Sequence, residues 1–392
     1  EPEVDMFTDN DIDMFAEEEP EEAGGPKGKD VLPGPNPAAD LGGRGYADDD
    51  AQDAEGYYNF RLGEVLHGRY KVAAHLGSGV FSSVLRCEDN QGPAAGPAEV
   101  AVKVIRANDV MRKQAQTEIA ICRKLARADA GGEMHCVRLL DDFEYRQHVC
   151  LVFEAMDLNL REVVKKYGRN VGVNLKAVRL YARHLLLSLR LLQRCGVIHA
   201  DIKPDNILVT KDRTSVKLCD FGSAMFSGDN ELTPYLVSRF YRAPEVMLGL
   251  PYDHRIDVWS LGCTLFELFT GRILFPGKSN NAMLRLMIEY KGPFPKKMVK
   301  RGAFTDRHFE PDQEMTFFQI EQDPATGQPV RTLMHNPRSS KDLLKALQGS
   351  ATETTDTLRL KQFADLLGKM LALDPERRIT AQQALAHPFV RD

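Results

Sequence analysis

The eight residues from His199 to Asn206 read H-A-D-I-K-P-D-N and place an acid (Asp201), a cation (Lys203) and an amide (Asn206) on one short stretch. Such an acid can accept or orient the proton of a hydroxyl nucleophile, and the cation can neutralise a phosphoryl group. The amide oxygen suits a hard metal ion such as Mg2+. Asp220, in Asp220-Phe221-Gly222, supplies a second metal-capable oxygen. Upstream, L-G-S-G-V-F-S-S-V at 76–84 carries Gly77 and Gly79, where backbone N–H groups can approach phosphate oxygens with no Cβ in the way. Lys103, in A-V-K-V-I at 101–105, has a candidate partner in Glu118, fifteen residues later. Each signal taken singly has a plainer explanation: a hairpin turn, a solvent-facing lysine, a solvated carboxylate, an ordinary loop. Their order along the chain, closed by Ala243-Pro244-Glu245, is not coincidence.

These residues need elements to hold them. Tyr70–Leu76, Val84–Cys87 and Val100–Ile105 alternate as strands, with Gly77-Ser78-Gly79 expected to turn the first into the second. Residues 89–98 (D-N-Q-G-P-A-A-G-P-A) read as a flexible connection. A helix follows over Asp109–Ala126, with Ile119, Cys122 and Leu125 on one face, and then strands near Val137–Tyr145 and His148–Phe153. This predicts a five-stranded antiparallel lobe with one helix. Beyond Met156 the pattern is helical, at Lys176–Cys195, at Ile256–Thr270 with the sole tryptophan Trp259, and at 358–372 and 380–386. Residues 277–357 read as loop-rich with short helical pieces, and Lys291, Lys296, Lys297, Lys300 and Arg301 as a solvated surface. A small β-rich lobe on a larger helical lobe leaves a cleft between them.

The 392 residues suffice for one large domain or two smaller ones. Charge is uneven: residues 1–59 carry 18 acidic and 3 basic side chains, net −15, so the remainder carries +10 of a total of −5. The acidic stretch is poor in large apolar residues and is expected to be disordered when free. It repeats Asp5-Met6-Phe7 as Asp13-Met14-Phe15, either a paired docking motif or incidental apolar residues. Seven dispersed cysteines with no C-x-x-C pair argue for reduced thiols in a cytosolic or nuclear compartment. No apolar run approaches the ~18 residues needed to span a bilayer, so no membrane partner is expected. The chain begins at Glu1 without an initiator methionine, as expected of a fragment.

In this order the motifs resemble those of the eukaryotic protein kinases, over residues 70–392. The resemblance implies an α+β, bilobal kinase fold at 60–392, with an N-lobe at about 70–153, a C-lobe at about 156–392 and an insert at about 277–357. It implies ATP and Mg2+ as cofactors, with Asn206 and Asp220 as metal ligands and Asp201, Lys203, Lys103 and Glu118 as the catalytic set. Leu76, Gly77, Gly79, Val84, Ala101, Phe153, Glu154, Met156 and Leu208 would line the ATP site, with Glu154 and Met156 at the hinge. Glu245 would pair with Arg378, and Asp257 would anchor the H-A-D-I-K-P-D-N backbone. Lys203-Pro204 is similar to serine/threonine rather than tyrosine kinases. T-P-Y-L-V-S-R-F-Y-R-A-P-E at 233–245, L-F-P-G at 274–277 and A-E-G-Y-Y at 54–58 resemble the CMGC group, its DYRK-like branch and the splicing-factor kinases. Protein substrates among splicing factors, a monomeric kinase domain, a nuclear location and no direct nucleic-acid binding follow from that resemblance.

Two positions depart from the pattern. Ser82 replaces the third glycine of the phosphate loop, and Ala200 replaces the arginine that commonly precedes the catalytic aspartate. A phosphate on Tyr235 would then need other cations, and Arg239 and Arg242 are the nearest in sequence. The rival reading is a pseudokinase scaffold without catalysis, supported only by these two departures. Cys219, beside Asp220, is either a reactive thiol at the nucleotide or an inert small hydrophobe.

Overall fold

The structure, a computed structural model, describes residues 52–391 except 54, 93–97, 169–170, 230–231, 234 and 323–327. The acidic stretch 1–51 with both D-M-F triplets, and the middle of the 89–98 connection, lie outside the described residues.

The small lobe is an antiparallel sheet of β1 (Val65–Leu66), β2 (Tyr70–Gly79), β3 (Ser82–Asp89), β4 (Ala98–Ile105), β5 (Leu139–Tyr145) and β6 (His148–Glu154), in the order β1-β2-β3-β4-β6-β5. Alternation gives each strand two faces. Leu85, Val100, Val102 and Val152 bury one face with Tyr58 and Tyr70. On the other, α1 (Asp109–Ala128) packs Ala115 and Ile119 against Ile105, Val149 and Leu151. Asn108 starts this helix by accepting from the N–H groups of Val110 and Met111.

Three details differ from the sequence expectation. The sheet has six strands, because β1 is only two residues long and too short for a period-two signal. Gly77-Ser78-Gly79 extends β2, pairing with Val84, Ser83 and Ser82, so the reversal falls at Val80-Phe81. Residues 55–58, counted in the acidic stretch expected to be disordered, pack on the sheet: Tyr58 is buried and donates to Glu64 at 2.6 Å. An aromatic ring with a satisfied hydroxyl offers enough burial to order a short segment.

The large lobe holds α2 (Leu160–Lys166), α3 (Leu175–Arg194), the short strands β7 (Val197–Ile198), β8 (Ile207–Val209), β9 (Val216–Leu218) and β10 (Met225–Phe226), then α4 (Pro244–Met247) and α5 (Arg255–Thr270). Every residue of α5 after Arg255 is buried, which makes it the central post of the lobe. Gly271, at φ 67°, ends it in the left-handed conformation that glycine adopts without strain. α6 (Asn280–Lys291), α7 (Lys296–Val299), β11 (Phe317–Gln322), β12 (Pro329–Met334), α8 (Leu343–Gln348), α9 (Thr357–Met370) and α10 (Ala381–Leu385) complete it.

Residues 277–357 are more ordered than a loop-rich reading expects: α6 runs twelve residues, and β11 and β12 form a hairpin. The hairpin is fixed from outside itself. The buried Asn281 amide donates to Phe318 O at 2.8 Å, and its oxygen accepts the Ile320 N–H at 2.9 Å. Lys291 is not a solvated surface residue. It donates to Gly368 O at 2.9 Å, and burial lowers its pKa. Among the described residues no helix is long and apolar enough to cross a membrane.

Candidate active site

The cleft residues come from both lobes. On β4, Lys103 lies opposite Val84 of β3 and Leu151 of β6, and Ala101 lies opposite Phe153. With period two, Val84, Ala101, Lys103 and Phe153 share one sheet face. Lys103 Nζ donates to both Glu118 oxygens at 2.9 Å and to Asp220 Oδ1 at 2.7 Å. One ammonium therefore joins β4, α1 and the large lobe. Burial opposes its charge, yet Asp220 and Glu118 outweigh burial and hold its pKa above the ordinary lysine range. Burial raises the Glu118 pKa against the pull of Lys103. Desolvation also works against the Asp220 carboxylate, but Lys103 more than cancels it and holds the carboxyl down at about 2. Asp220 is thus an anion at any working pH, with 47% of its side chain accessible.

Across the cleft, the H-A-D-I-K-P-D-N loop hangs from α5. Asp257 accepts the N–H groups of His199 at 2.8 Å and Ala200 at 3.0 Å. His199 Nε2 donates to Cys219 O at 3.0 Å while Nδ1 accepts the Asp201 N–H at 3.2 Å, which assigns one neutral tautomer. Asn206 Nδ2 donates to Asp201 O and Oδ2, both at 2.9 Å, leaving its Oδ1 for another partner. Lys203 Nζ lies 3.0 Å from Asp201 Oδ2. Asp201, Lys203 and Asn206 therefore form one bonded cluster, as their spacing predicts. Ala200 is buried with φ 63°, and its backbone N–H serves the loop through Asp257.

The oxygens available for a metal ion are the Asn206 Oδ1 and the Asp220 carboxylate. Among the described residues no group of three or more His, Cys, Asp or Glu could hold an ion. Two oxygen donors without a full protein cage fit Mg2+, which keeps waters and takes phosphate oxygens as further ligands. The expected adenine-slot residues are all incompletely buried: Leu76 is 54% exposed, and Val84, Ala101, Phe153, Met156 and Leu208 are intermediate. Glu154 turns its carboxylate to Lys217 Nζ at 2.7 Å and to the Arg138 N–H at 2.8 Å. Burial pushes the Cys219 thiol pKa up, with the Asp220 charge adding to it, so the thiolate is disfavoured.

Sequence reasoning missed three contacts. Ser238 Oγ donates to Asp201 Oδ1 at 2.7 Å and accepts from Lys203 Nζ at 3.0 Å, tying the 233–245 stretch to the cluster. Gln114 of α1 bonds Gly222 O. Tyr57 donates to Gly79 O at 3.0 Å at the tip of the phosphate loop, under the Arg106 guanidinium at 4.4 Å. Ser238 and Tyr57 left a trace, as parts of T-P-Y-L-V-S-R-F-Y-R and A-E-G-Y-Y. The two arginines offered for Tyr235 separate. Arg242 is buried, donates to Tyr235 O at 3.1 Å and sits 5.8 Å from its ring centroid. Arg239 donates to Lys278 O at 2.7 Å. Glu245 and Arg378 meet as expected, at 2.6 and 2.8 Å.

A two-lobed fold with this cleft chemistry matches the family described as protein kinase domain over residues 70–390, and the chain belongs to that family. Within it, the chain is similar to serine/threonine-protein kinase prp4 of Schizosaccharomyces pombe, 47% identical over 88% of this chain and 72% of that one. It is also similar to serine/threonine-protein kinase prpf4B of Dictyostelium discoideum, 41% identical over 100% of this chain and 47% of that one. A more distant relative is the dual specificity tyrosine-phosphorylation-regulated kinase mbk-2 of Caenorhabditis elegans, 35% identical over 86% of this chain and 41% of that one. The chain is thus a CMGC, DYRK-like serine/threonine protein kinase of the prp4 kind, and the pseudokinase reading is left without support.

Proposed function

We propose that this chain transfers the ATP γ-phosphate to serine and threonine hydroxyls of protein substrates, with splicing factors as the substrate class and the nucleus as the site of action. The observation that carries the reading is the Lys103 ammonium held between Glu118 and Asp220, facing the bonded cluster of Asp201, Lys203 and Asn206. In this reading Lys103 holds the α- and β-phosphates and Glu118 positions it. Asp201 orients the attacking hydroxyl and takes its proton, while Lys203 offsets charge on the transferred phosphoryl. Asn206 and Asp220 would hold Mg2+, which supplies charge neutralisation at the phosphates. Gly77 and Gly79 leave room for phosphate oxygens. Leu76, Val84, Ala101, Phe153 and Leu208 enclose the adenine, with the backbone at Glu154 and Met156 as hydrogen-bonding edge.

The prp4 and DYRK likenesses support splicing factors as substrates and autophosphorylation of Tyr235, which is 54% exposed. The added phosphate carries about −1.5 to −2 charges and would draw on Arg239 and Arg242 in place of an arginine at position 200. A γ-phosphate transfer assay on a splicing-factor substrate with Mg2+ tests the whole reading. Asp220→Asn is expected to lose on the order of 10²–10³-fold in kcat. Equal transfer by both proteins, or none by the native one, rejects it. Tyr235→Phe, freshly made, should lose specific activity; full activity would remove Tyr235 from the account.

A further inference from the structure

The large lobe carries a second concavity that shares no residue with the candidate active site. A groove of about 1080 Å³ opens between the segment leading into α3, the first turns of α3, the loop before α9 and the C-terminal Phe389 and Val390. It is held open by close packing. Gly172, at φ 106°, rests against the Phe269 carbonyl where a Cβ would collide, and Val173 donates to Leu268 O at 2.7 Å. Arg179 ties α3 to the chain end through Phe389 O at 2.7 Å.

The groove is lined mostly by apolar surface, shared with the hydroxyls of Ser350, Thr352, Thr354 and Thr355, and it carries several basic side chains. Val171 is 62% and Leu180 39% exposed, more than the core requires of either. Lys176, Leu180 and Arg183 fall at i, i+4 and i+7, so one exposed stripe of α3 reads cation, apolar, cation. Arg359 adds a fourth basic lining residue beside Lys176, Arg179 and Arg183. Among the described lining residues the one carboxylate, Asp356, already accepts the Leu358 and Arg359 N–H groups at 2.9 and 3.1 Å as the cap of α9.

Such a surface fits an acidic segment bearing apolar side chains, and this chain contains one. Residues 1–22 hold eleven carboxylates and no Lys or Arg, and they include Asp5-Met6-Phe7 and Asp13-Met14-Phe15. Phe15 and Gln52, the first described residue, are 37 residue steps apart. At random-coil dimensions these span about 30–36 Å, and fully extended about 120 Å. A folded body of this length has a radius of gyration of about 20 Å, so the groove is within reach.

We propose that the D-M-F segments of the acidic N-terminal stretch dock in this groove of the same chain. Met and Phe occupy the apolar floor beside Val171 and Leu180, and the flanking carboxylates face Lys176, Arg183 and Arg359. Two copies of the triplet raise the effective concentration at one groove. The inference does not rest on the kinase reaction.

Hydrogen–deuterium exchange of the full 392-residue chain tests it without an activity assay. In the variant Met6→Ser, Phe7→Ser, Met14→Ser, Phe15→Ser, exchange over 171–176 and 350–356 should rise by about threefold or more, with β3 and β4 unchanged. Lys176→Glu with Arg183→Glu, both exposed, should reproduce that rise, as should high salt. Exchange in these segments that is the same in native and variant chains overturns the proposal. Protection that grows with protein concentration also overturns it, because the occupant would then be a second copy.

Discussion

At the scale of single residues, the candidate active site depends on buried polar groups that satisfy one another. Asp257 is the clearest case. It is buried, its pKa is raised by that burial, and its two oxygens hold the N–H groups of His199 and Ala200. Asp257→Ala removes both acceptors and strands two buried donors, at about 1–3 kcal/mol each. The expected result is a fall of roughly 2–5 kcal/mol in unfolding free energy by chemical denaturation. Asp201 and Asn206 would lose their register with it, so transfer activity should drop more than stability alone explains. An Asp257→Ala protein with native stability would contradict this account. Ala200 belongs to the same scale: buried at φ 63°, it contributes its backbone N–H to Asp257, and a methyl side chain offers no charge to a phosphate.

At the scale of elements, α4, which follows the T-P-Y-L-V-S-R-F-Y-R stretch, is bound to the chain's last quarter by the Glu245–Arg378 pair. Both side chains are essentially inaccessible, and Arg378 also stacks 5.1 Å from the Trp259 ring centroid. Breaking such a pair from one side leaves a buried charge unopposed, at about 3–5 kcal/mol. Arg378→Met should therefore destabilise strongly in urea unfolding, and adding Glu245→Gln should recover part of the loss. No recovery in the double variant would show that packing, not charge, dominates there. The insert behaves differently. His308, beside Asn281 at the root of the β11–β12 hairpin, has its pKa pushed down to about 4 by burial and by the charge of Arg307. An unfolded histidine titrates near 6.5, so between pH 6.5 and 4 the unfolded chain binds a proton that the folded one refuses. Stability is full above pH 6.5 and falls through that window by roughly 3 kcal/mol from this group. His308→Gln should flatten that part of a stability-versus-pH curve; an unchanged slope would remove His308 as its source.

At the scale of the whole molecule, the candidate ATP site exists only where the lobes meet. Lys103 and Glu118 belong to the small lobe, Asp220 and Asn206 to the large one, and a single ammonium bridges them. A ligand gripping both lobes stabilises the assembled form by mass action. Mg2+ with ATP at a hundred times its Kd should add about 2.7 kcal/mol, seen as a rise in Tm. Removing Mg2+ with a chelator, or replacing Lys103 with Met, should shrink that rise, and an equal rise in Lys103→Met would place the nucleotide elsewhere.

Much of the chemistry was legible in the sequence because its residues are close along the chain or carry a strong local pattern. Asp201, Lys203 and Asn206 fall within six positions, so one loop brings them together whatever surrounds it. α1 announced itself by one apolar face, and α3 and α5 by long apolar stretches. What stayed hidden depends on partners distant in sequence. Tyr57 meets Gly79 across 22 residues, Ser238 meets Asp201 across 37, and Asn281 fixes Phe318 across 37. No short-range signal marks which hydroxyl or amide will be met by a remote carbonyl. The sequence alone determined the family, the order of the motifs and the identity of the cleft groups, since these follow from residue type and spacing. Only the tertiary structure decided that residues 55–58 belong to the small lobe and that Arg242 rather than Arg239 grips the Tyr235 backbone. It also decided that Leu180, between Lys176 and Arg183 on α3, stays partly exposed among the described residues. Those outcomes turn on which surfaces close packing leaves open, a property of the assembled chain.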